Sequence, residues 1–194
     1  MAQRIVIIGG GPAGYEAALV GAKYGAEVTV VEDAGMGGSS VLWDCVPSKA
    51  FIAATGVRTD MRRADEMGLR PDFSQRKIDF TAVNERVKRL AQQQSDDVRA
   101  QMEREGIKML QGRGRLDDHD PGRVTHYVTV DLLEGGEVTL EADLVLVSTG
   151  ASPRILPGAI PDGDRILTWR QVYELEELPE HLIVVGSGVT GAEF

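Results

Sequence analysis

The chain has 194 residues, of which 42% are hydrophobic and 26% charged, an ordinary composition for one globular domain and part of another. Its net charge of −9 argues against nucleic acids and anionic membrane surfaces as partners. One cysteine excludes an internal disulfide and suits a reducing cytoplasm, and no apolar run approaches the roughly 20 residues that span a bilayer.

The first 32 residues predict a strand, a glycine turn, a helix and a second strand. Arg4 to Ile8 is a continuous apolar run, typical of a strand that is buried on both faces. Ala13 to Tyr24 is rich in alanine and leucine, and Gly25 would end that helix. Val28 to Val31 then form the next strand, which Glu32 closes.

Three glycines in the turn have G-x-G-x-x-G spacing. Gly9 would allow the tight turn, Gly11 would let the backbone approach a pyrophosphate, and Gly14 would let helix and strand pack closely. The helix N-terminus would supply N–H groups for the phosphates, and Glu32 stands where a carboxylate can bind a ribose. This pattern predicts a dinucleotide site; an ordinary βαβ unit with a glycine-rich turn is the alternative.

The segment "GGSSVLWDCVPSK", residues 37 to 49, contains the only cysteine. We predict that Cys45 lies at the start of a helix with Asp44 as its N-cap. Cys45 is then either a buried packing residue or a reactive thiol. Lys49 follows one turn later, and it could also be a plain surface lysine.

The middle of the chain predicts one long helix and several strands. Thr81 to Glu105 has an apolar stripe at mostly helical spacing, interrupted by the polar run "QQQSDD". The predicted strands and the hairpin turn are Lys108–Leu110, Val124–Leu133, Glu137–Leu140 and Gly135-Gly136. The run "DHDPG" with His119 is interpreted as a solvated turn rather than a metal site.

The last part of the chain repeats the opening pattern. "ADLVLVSTGASPRILP" predicts another buried strand that ends at Ser148, Thr149 and Gly150. "HLIVVGSGVTGAEF" predicts a strand followed by Gly186, Gly188 and Gly191 in the first motif's spacing. Two such motifs suggest two different dinucleotides, and we interpret the chain as truncated within its second unit because a parallel strand needs neighbours.

Four motifs in this order resemble the flavoprotein disulfide reductases, the group of dihydrolipoamide dehydrogenase, glutathione reductase and mercuric reductase. They are GGGPAG with Glu32, GGSSVLWDCVPSK, STGASP and GSGVTGAE. The resemblance covers the whole chain, as roughly the N-terminal two-fifths of such an enzyme. It implies FAD in the first domain, NADH or NADPH in the second, and a homodimer.

The resemblance also implies roles for individual residues. Those assigned to FAD are Gly9, Gly11, Pro12, Ala13, Gly14, Glu32, Asp33, Gly38, Ser39, Cys45, Lys49, Gly114, Ser148, Thr149 and Gly150. Those assigned to NADH or NADPH are Gly186, Gly188 and Gly191. The implied catalytic residues are Cys45, Lys49 and Glu193, with Lys49 paired to Glu193 and offsetting negative charge on the reduced flavin.

The family's redox motif has two cysteines, and this chain departs from it. Ser40 stands at the first cysteine position and Cys45 at the second, so half of a dithiol–disulfide apparatus is missing. Within the family the chain is most similar to the actinobacterial NAD(P)H:quinone reductases. We therefore expect hydride to pass through flavin to a quinone-type acceptor.

Two alternatives remain open. The chain could belong to a dihydrolipoamide dehydrogenase-like disulfide reductase that takes a cysteine from elsewhere, or it could be a non-catalytic FAD-binding fragment. In each case the predicted fold is α/β. A Rossmann-like FAD-binding domain with a parallel sheet, helices and a small antiparallel β insertion spans residues 1–152. The start of a second, NAD(P)-binding Rossmann-like domain spans residues 153–194.

Overall fold

The computed structural model describes residues 2–69, 78–117, 122 and 124–193, except for the side chain of Asp65. They form two compact units. The first consists of Met1–Leu42 and Gln92–Ala151, and the second of Trp43–Ala91 and Ser152–Phe194. The run "DHDPG", interpreted as a solvated turn, lies largely outside the described residues.

The opening strand–helix–strand prediction is confirmed to within one residue at each boundary. β1 is Arg4–Ile8, α1 is Pro12–Lys23 and β2 is Glu27–Glu32. β1 and β2 pair in parallel, with Arg4 opposite Glu27 and Ile8 opposite Val31. Such pairing needs a crossover, which α1 provides. The carboxyl ends of both strands, and hence the glycine turn and Glu32, therefore lie at one edge of the sheet.

Four more strands complete the sheet of the first unit. They are β3 at Lys108–Leu116, β4 at His126–Leu132, β5 at Glu137–Ala142 and β6 at Leu144–Val147. The strand order is β5-β4-β3-β2-β1-β6. β3, β2, β1 and β6 are parallel, whereas β3, β4 and β5 form an antiparallel meander. The predicted α/β class, with a parallel sheet and an antiparallel insertion, is confirmed.

Apolar clusters stabilise the first unit through residues from several elements. One contains Ile7, Ala18, Val28, Val30, Met36, Val98, Met102 and Ile107. The other contains Val6, Ile8, Val31, Val128, Val130 and Ala142. β1 contributes to both clusters because its alternate side chains point to opposite faces. Burying each large aliphatic side chain contributes about 2 kcal/mol, so these clusters fix the position of the turn that follows β1.

Three helices occupy the segment between β2 and β3. α2 is Gly38–Leu42, α3 is Cys45–Arg63 and α4 is Phe80–Arg104. The predicted long helix is confirmed, one residue earlier than expected at each end. Its buried stripe is more regular than the apolar pattern suggested because Asn84 and Ser95 are buried together with the apolar residues. The stripe is Asn84, Val87, Ala91, Ser95, Val98 and Met102.

Three strand predictions need correction. β3 continues to Leu116 rather than ending at Leu110, and β5 continues to Ala142 rather than ending at Leu140. The strand predicted at Val124–Leu133 is His126–Leu132, since its pairing with β5 begins at His126. Pairing with β4 extends β3 through the sequence "GRG", which has little intrinsic strand propensity. Tertiary pairing therefore overrides local preference in this part of the sheet.

The second glycine motif is not preceded by a strand. Residues 182–185 do not form a strand, and Ile183 is 87% exposed. A 3₁₀ turn at Trp169–Glu174 comes earlier, and the short helix α5 at Val189–Glu193 follows the motif. The strand predicted at this position is therefore wrong for the described structure, which provides no neighbouring strand to pair with it.

Candidate functional site

The first glycine turn needs two of its glycines for packing. Gly9 has φ of +107°, and a Cβ atom there would lie 2.3 Å from the carbonyl oxygen of Ser148. A Cβ atom at Gly14 would lie 1.9 Å from the carbonyl oxygen of Gly9. Both positions therefore exclude larger residues for steric reasons. The turn and the close approach of α1 to β1 follow from these two residues.

Gly11 has a different environment. A Cβ atom there would meet nothing closer than the Cα of Gly38, at 3.9 Å, among the described residues. Gly11 is the N-cap of α1, makes no side-chain cap, and is followed by Pro12 and Ala13 in a first turn without acidic residues. The N-terminal amides of α1 are thus not capped by a side chain, which suits an anion. The space beside Gly11 is what a pyrophosphate against the backbone requires.

Glu32 holds the loop from the end of β2. Its Oε2 accepts a hydrogen bond from the Gly10 amide at 2.6 Å, and its Oε1 accepts from the amides of Ala34 at 2.8 Å and Gly35 at 3.4 Å. Two carboxylate oxygens offer about four acceptor positions, so capacity for a hydroxyl donor remains. The predicted ribose ligand is therefore also a structural clamp on the glycine turn.

Gly38 and Ser39 begin α2 in the first unit. A Cβ atom at Gly38 would lie 2.8 Å from the Cα of Gly11, so the two glycines let these backbone segments approach each other. Ser39 is half-buried. Both residues, named for FAD from the resemblance, therefore lie in the turn region around Gly11.

Asp33 and Gly114 lie beside the clamp. The guanidinium of Arg113 donates to Asp33 at 3.3 Å, in an ion pair whose arginine side chain is 81% exposed. A Cβ atom at Gly114 would lie 3.2 Å from side-chain carbons of Ile8 and Val31. Gly114 therefore keeps β3 close to the core behind the glycine turn.

Ser148 connects the end of β6 to the same turn. Its hydroxyl donates to the carbonyl of Gly9 at 2.9 Å and lies 3.1 Å from that of Ile8, and its amide donates to Ile8 at 2.8 Å. Thr149 and Gly150, which follow it, are exposed. Ser148 thus fixes the turn, while the next two residues present their backbone at the surface of the first unit.

Cys45 is the first residue of α3, as predicted, and belongs to the second unit. Its side chain is exposed, so the alternative of a buried packing residue is wrong for the described structure. Asp44 occupies the N-cap position, but its side chain makes no capping hydrogen bond. Its φ and ψ of −120° and −95° are not those of an ordinary cap. The Asp44 backbone carbonyl accepts the first hydrogen bond of the helix, from the Ser48 amide at 2.8 Å.

Lys49 and Glu193 form an ion pair within the second unit. The ammonium of Lys49 donates to Glu193 Oε1 and lies 3.4 Å from the Ser48 hydroxyl. The hydrogen bond to Glu193 raises the pKa of Lys49. The same bond, followed by the influence of Ser48, lowers the pKa of Glu193. Both groups are therefore held charged near neutral pH.

The second glycine motif forms the same type of turn as the first. Gly186 has φ of +125°, and a Cβ atom at Gly191 would lie 2.3 Å from the carbonyl oxygen of Gly186. The amide of Ala192 donates to Gly188 at 2.9 Å. Gly186 and Gly188 are exposed, and the described residues leave the space beside both free to 4 Å.

Sequence reasoning missed the residues that surround the start of α3. Ser48 is 2% exposed, and Tyr173 is 4% exposed with a hydroxyl pKa that burial raises. The guanidinium of Arg170 lies 4.5 Å from the centroid of the Trp43 ring. A signal for part of this cluster was present, because Thr168 and Gln171 have the spacing of a capping box, which predicts a helical turn at Trp169.

Comparison with known proteins places these features in a family. Residues 3–194 match the model described as pyridine nucleotide-disulphide oxidoreductase. The chain is 57% identical over its whole length to a Mycobacterium tuberculosis protein named NAD(P)H dehydrogenase (quinone), of which it covers 40%. It is 34% identical to a dihydrolipoyl dehydrogenase of Chlorobaculum parvum, with 98% of this chain and 39% of that protein covered.

A solved structure agrees with this placement. The crystal structure of LpdA from Mycobacterium tuberculosis matches with a TM-score of 0.91 and 55% identity, over 98% of this chain and 41% of that one. The chain thus spans about two-fifths of the length of these relatives. In the described part of the chain, no helix is long and apolar enough to cross a membrane. Through a family match over almost its entire length, the chain belongs to the pyridine nucleotide-disulphide oxidoreductases.

Proposed function

We propose that the first unit binds FAD through the turn that follows β1. The open space at Gly11, the N-terminus of α1 without a side-chain cap, and the acceptor capacity left on Glu32 support this assignment. A helix N-terminus without a side-chain cap and a carboxylate with spare acceptor capacity are the groups that bind a pyrophosphate and a ribose in such sites. The family implies a flavin, and FAD is the flavin that contains both groups.

The other cofactor contacts belong to the same proposal. Asp33, Gly38, Ser39 and Gly114 adjoin the turn or Glu32, and Thr149 and Gly150 follow Ser148 at the end of β6. For NADH or NADPH, we propose the loop of Gly186, Gly188 and Gly191, where Gly186 and Gly188 are exposed and a Cβ at either would meet no described atom within 4 Å. We propose that residues 1–152 belong to the FAD-binding domain of the intact protein and residues 153–194 to its NAD(P)-binding domain.

We infer that the intact protein transfers a hydride from NADH or NADPH, through FAD, to a quinone. One observation carries this inference. Lys49 and Glu193 are paired in the second unit, whereas the 194 residues contain a single cysteine and have Ser40 at the other position of the redox motif. A dithiol–disulfide exchange needs two thiols, and these residues supply one. The name of the 57% identical relative also supports a quinone acceptor.

Each residue has a distinct part in this proposal. Bound FAD would accept two electrons from the nicotinamide and deliver them to the acceptor. Lys49 supplies a positive charge, and Glu193 keeps the pKa of that ammonium high enough for it to remain protonated. Cys45 presents an exposed thiol at the start of α3, and we assign it to shaping the reaction site rather than to exchange. In the net reaction NAD(P)H gives up a hydride, and the quinone gains its two electrons and one proton together with a second proton from the solvent.

A matched pair of glycine variants tests the cofactor assignment in the intact protein. Gly11→Val places a side chain in the proposed pyrophosphate space, so we expect the purified protein to lose its flavin absorbance. Gly188→Val fills the corresponding space of the second loop, so flavin should remain while reduction by NAD(P)H is lost. A Gly11→Val variant that still binds FAD in full would overturn the assignment.

The acceptor is tested by comparing a quinone with lipoamide and oxidised glutathione. We expect quinone turnover only, a modest loss in Cys45→Ser, and about a hundredfold loss in Lys49→Met, typical for one well-placed electrostatic group. Robust disulfide turnover would instead support the dihydrolipoyl dehydrogenase-like alternative, which the names of several 30–34% identical relatives favour. Stable FAD binding without any turnover would support a non-catalytic binding role.

We also propose that the intact protein is a homodimer in the cytoplasm. The homodimer follows from the family resemblance, and the reducing compartment from the use of one cysteine in 194 residues. Sedimentation of the intact protein over a range of concentrations would test the first statement.

A further inference from the structure

The start of α3 lacks the devices that usually fix a helix N-terminus. The Asp44 side chain does not cap it, and its first turn contains no acidic residue. Such features normally stabilise the first turn of a helix. Cys45 opens this turn and Lys49 follows one turn later, so a contact that restrains the helix start also restrains both residues.

A cation–π cluster adjoins this helix start in the second unit. The guanidinium carbon of Arg170 lies 4.5 Å from the centroid of the Trp43 ring and 5.4 Å from that of the Trp169 ring. Both distances are within the range in which a cation and an aromatic face attract each other. Trp43 precedes Cys45 by two residues, so its position limits that of the helix start.

Arg170 is itself held by a rigid short element. The 3₁₀ turn at Trp169–Glu174 begins with a capping box in which the Thr168 amide donates to Gln171 Oε1 at 2.8 Å. Tyr173, from the same turn, is buried and packs edge-on against Phe51 of α3, with ring centroids 6.4 Å apart. These contacts fix the backbone that carries the guanidinium.

The far end of the 3₁₀ turn is attached to α4. Asn84 Nδ2 donates to the carbonyl of Leu175 at 2.8 Å, and Lys88 donates to Glu174 at 2.6 Å. The turn is therefore fixed at both ends, and Arg170 projects from an anchored position.

We propose that Arg170 is a positioning residue that fixes the start of α3, and with it Cys45 and Lys49, by stacking on Trp43 from the anchored 3₁₀ turn. The contact restrains the residue that precedes the helix, whose start has no side-chain cap. Its relevance to catalysis rests on the proposed function, but the positional effect does not depend on any cofactor or acceptor.

The test measures hydrogen exchange of the Ser48 amide, which makes the first hydrogen bond of α3 to Asp44. We expect Arg170→Gln to accelerate this exchange about five- to thirtyfold, the factor that corresponds to a partly desolvated cation–π contact. Arg170→Lys keeps the cation but loses the planar stack, so it should restore part of the protection. Arg58→Gln is the matched control, because it removes a positive charge from an exposed position of α3 and should leave Ser48 unchanged.

Tryptophan fluorescence supplies an independent readout, since the chain has two tryptophans and both lie against Arg170. Arg170→Gln should increase quenching by acrylamide, and Arg58→Gln should not. In the double variant Trp43→Leu/Arg170→Gln, the Ser48 amide should exchange no faster than in the faster of the two single variants, because both substitutions remove the same contact. Additive effects, or equal effects of Arg170→Gln and Arg58→Gln, would overturn the proposal. If Arg170→Gln does not fold, Arg170→Lys and Trp43→Phe must each give intermediate exchange, and wild-type rates in both would overturn it.

Discussion

The two glycine loops of this chain have the same local geometry in very different surroundings. The φ angles are +107° at Gly9 and +125° at Gly186. In each loop the third glycine lies against the carbonyl of the first. A Cβ atom at Gly14 would lie 1.9 Å from the carbonyl oxygen of Gly9, and one at Gly191 would lie 2.3 Å from that of Gly186. The G-x-G-x-x-G spacing therefore encodes the turn itself, independently of what packs around it.

The loops differ in what precedes and encloses them. β1, before the first loop, contains Ile7 at 0% exposure, whereas Ile183, before the second, is 87% exposed. A Cβ on Gly9 would collide with Ser148, but one on Gly186 would meet no described atom within 4 Å. A turn can thus form from local sequence, while a rigid phosphate site also needs a paired strand and a neighbouring element to hold the turn in place.

The largest expected difference comes from adding a methyl group to the third glycine of each loop. Gly14→Ala forces α1 away from β1 beside the core, so we expect a loss of about 3 kcal/mol in the free energy of unfolding. Gly191→Ala disturbs an exposed segment and should cost less than about 1 kcal/mol. Urea denaturation followed by circular dichroism measures both. Equal losses would show that the two loops are equally integrated into the fold.

A smaller effect is expected from removing the clamp on the first loop. Glu32→Ala leaves the amides of Gly10, Ala34 and Gly35 without their acceptor, which should cost about 2 kcal/mol because the site is partly buried. Glu32→Gln keeps one acceptor oxygen and should cost less. The second loop has no equivalent clamp among the described residues. If Glu32→Ala were as stable as the wild type, the rigidity of the first loop would have to come from packing alone.

The smallest effect concerns the ion pair that attaches α5, after the second loop, to Lys49. Because the pKa of Glu193 is lowered in the fold, its contribution is present above the unfolded pKa and is lost as pH falls through the folded value. Because the pKa of Lys49 is raised, its contribution is lost only as pH rises through the folded value. NMR titration of the Glu193 carboxyl in Lys49→Met should show a higher pKa than in the wild type. An unchanged titration would mean that the pair does not form in solution.

The local sequence pattern was sufficient to predict those helices and strands that are specified by residues close together in the chain. β1, α1 and β2 were predicted within one residue because a continuous apolar run and turn glycines specify them. The full length of β3 could not be predicted in this way. A Cβ at Gly112 would lie 2.5 Å from the carbonyl of Asp131, so close strand approach, and not propensity, explains that glycine. Such an approach becomes visible only once β4 is in place.

The same distinction applies to the candidate site. Lys49 and Glu193 could be named because each lies in a recognisable motif. Arg170 could not, because its role depends on Trp43, a residue far from it in sequence, and on the anchoring of a 3₁₀ turn. Stacking partners of this kind leave no periodic signal in a single sequence.

The hydrogen bond from Ser148 to Gly9 spans 139 residues and has a consequence for the order of folding. Closing so long a segment carries a large entropic cost, which is offset only when β6 pairs with β1. During synthesis the glycine turn can therefore form early, but it acquires its final support only after Val147 has been made and the strand has docked. The proposed FAD site would therefore be completed only after β6 has arrived, although its glycine turn lies close to the N-terminus.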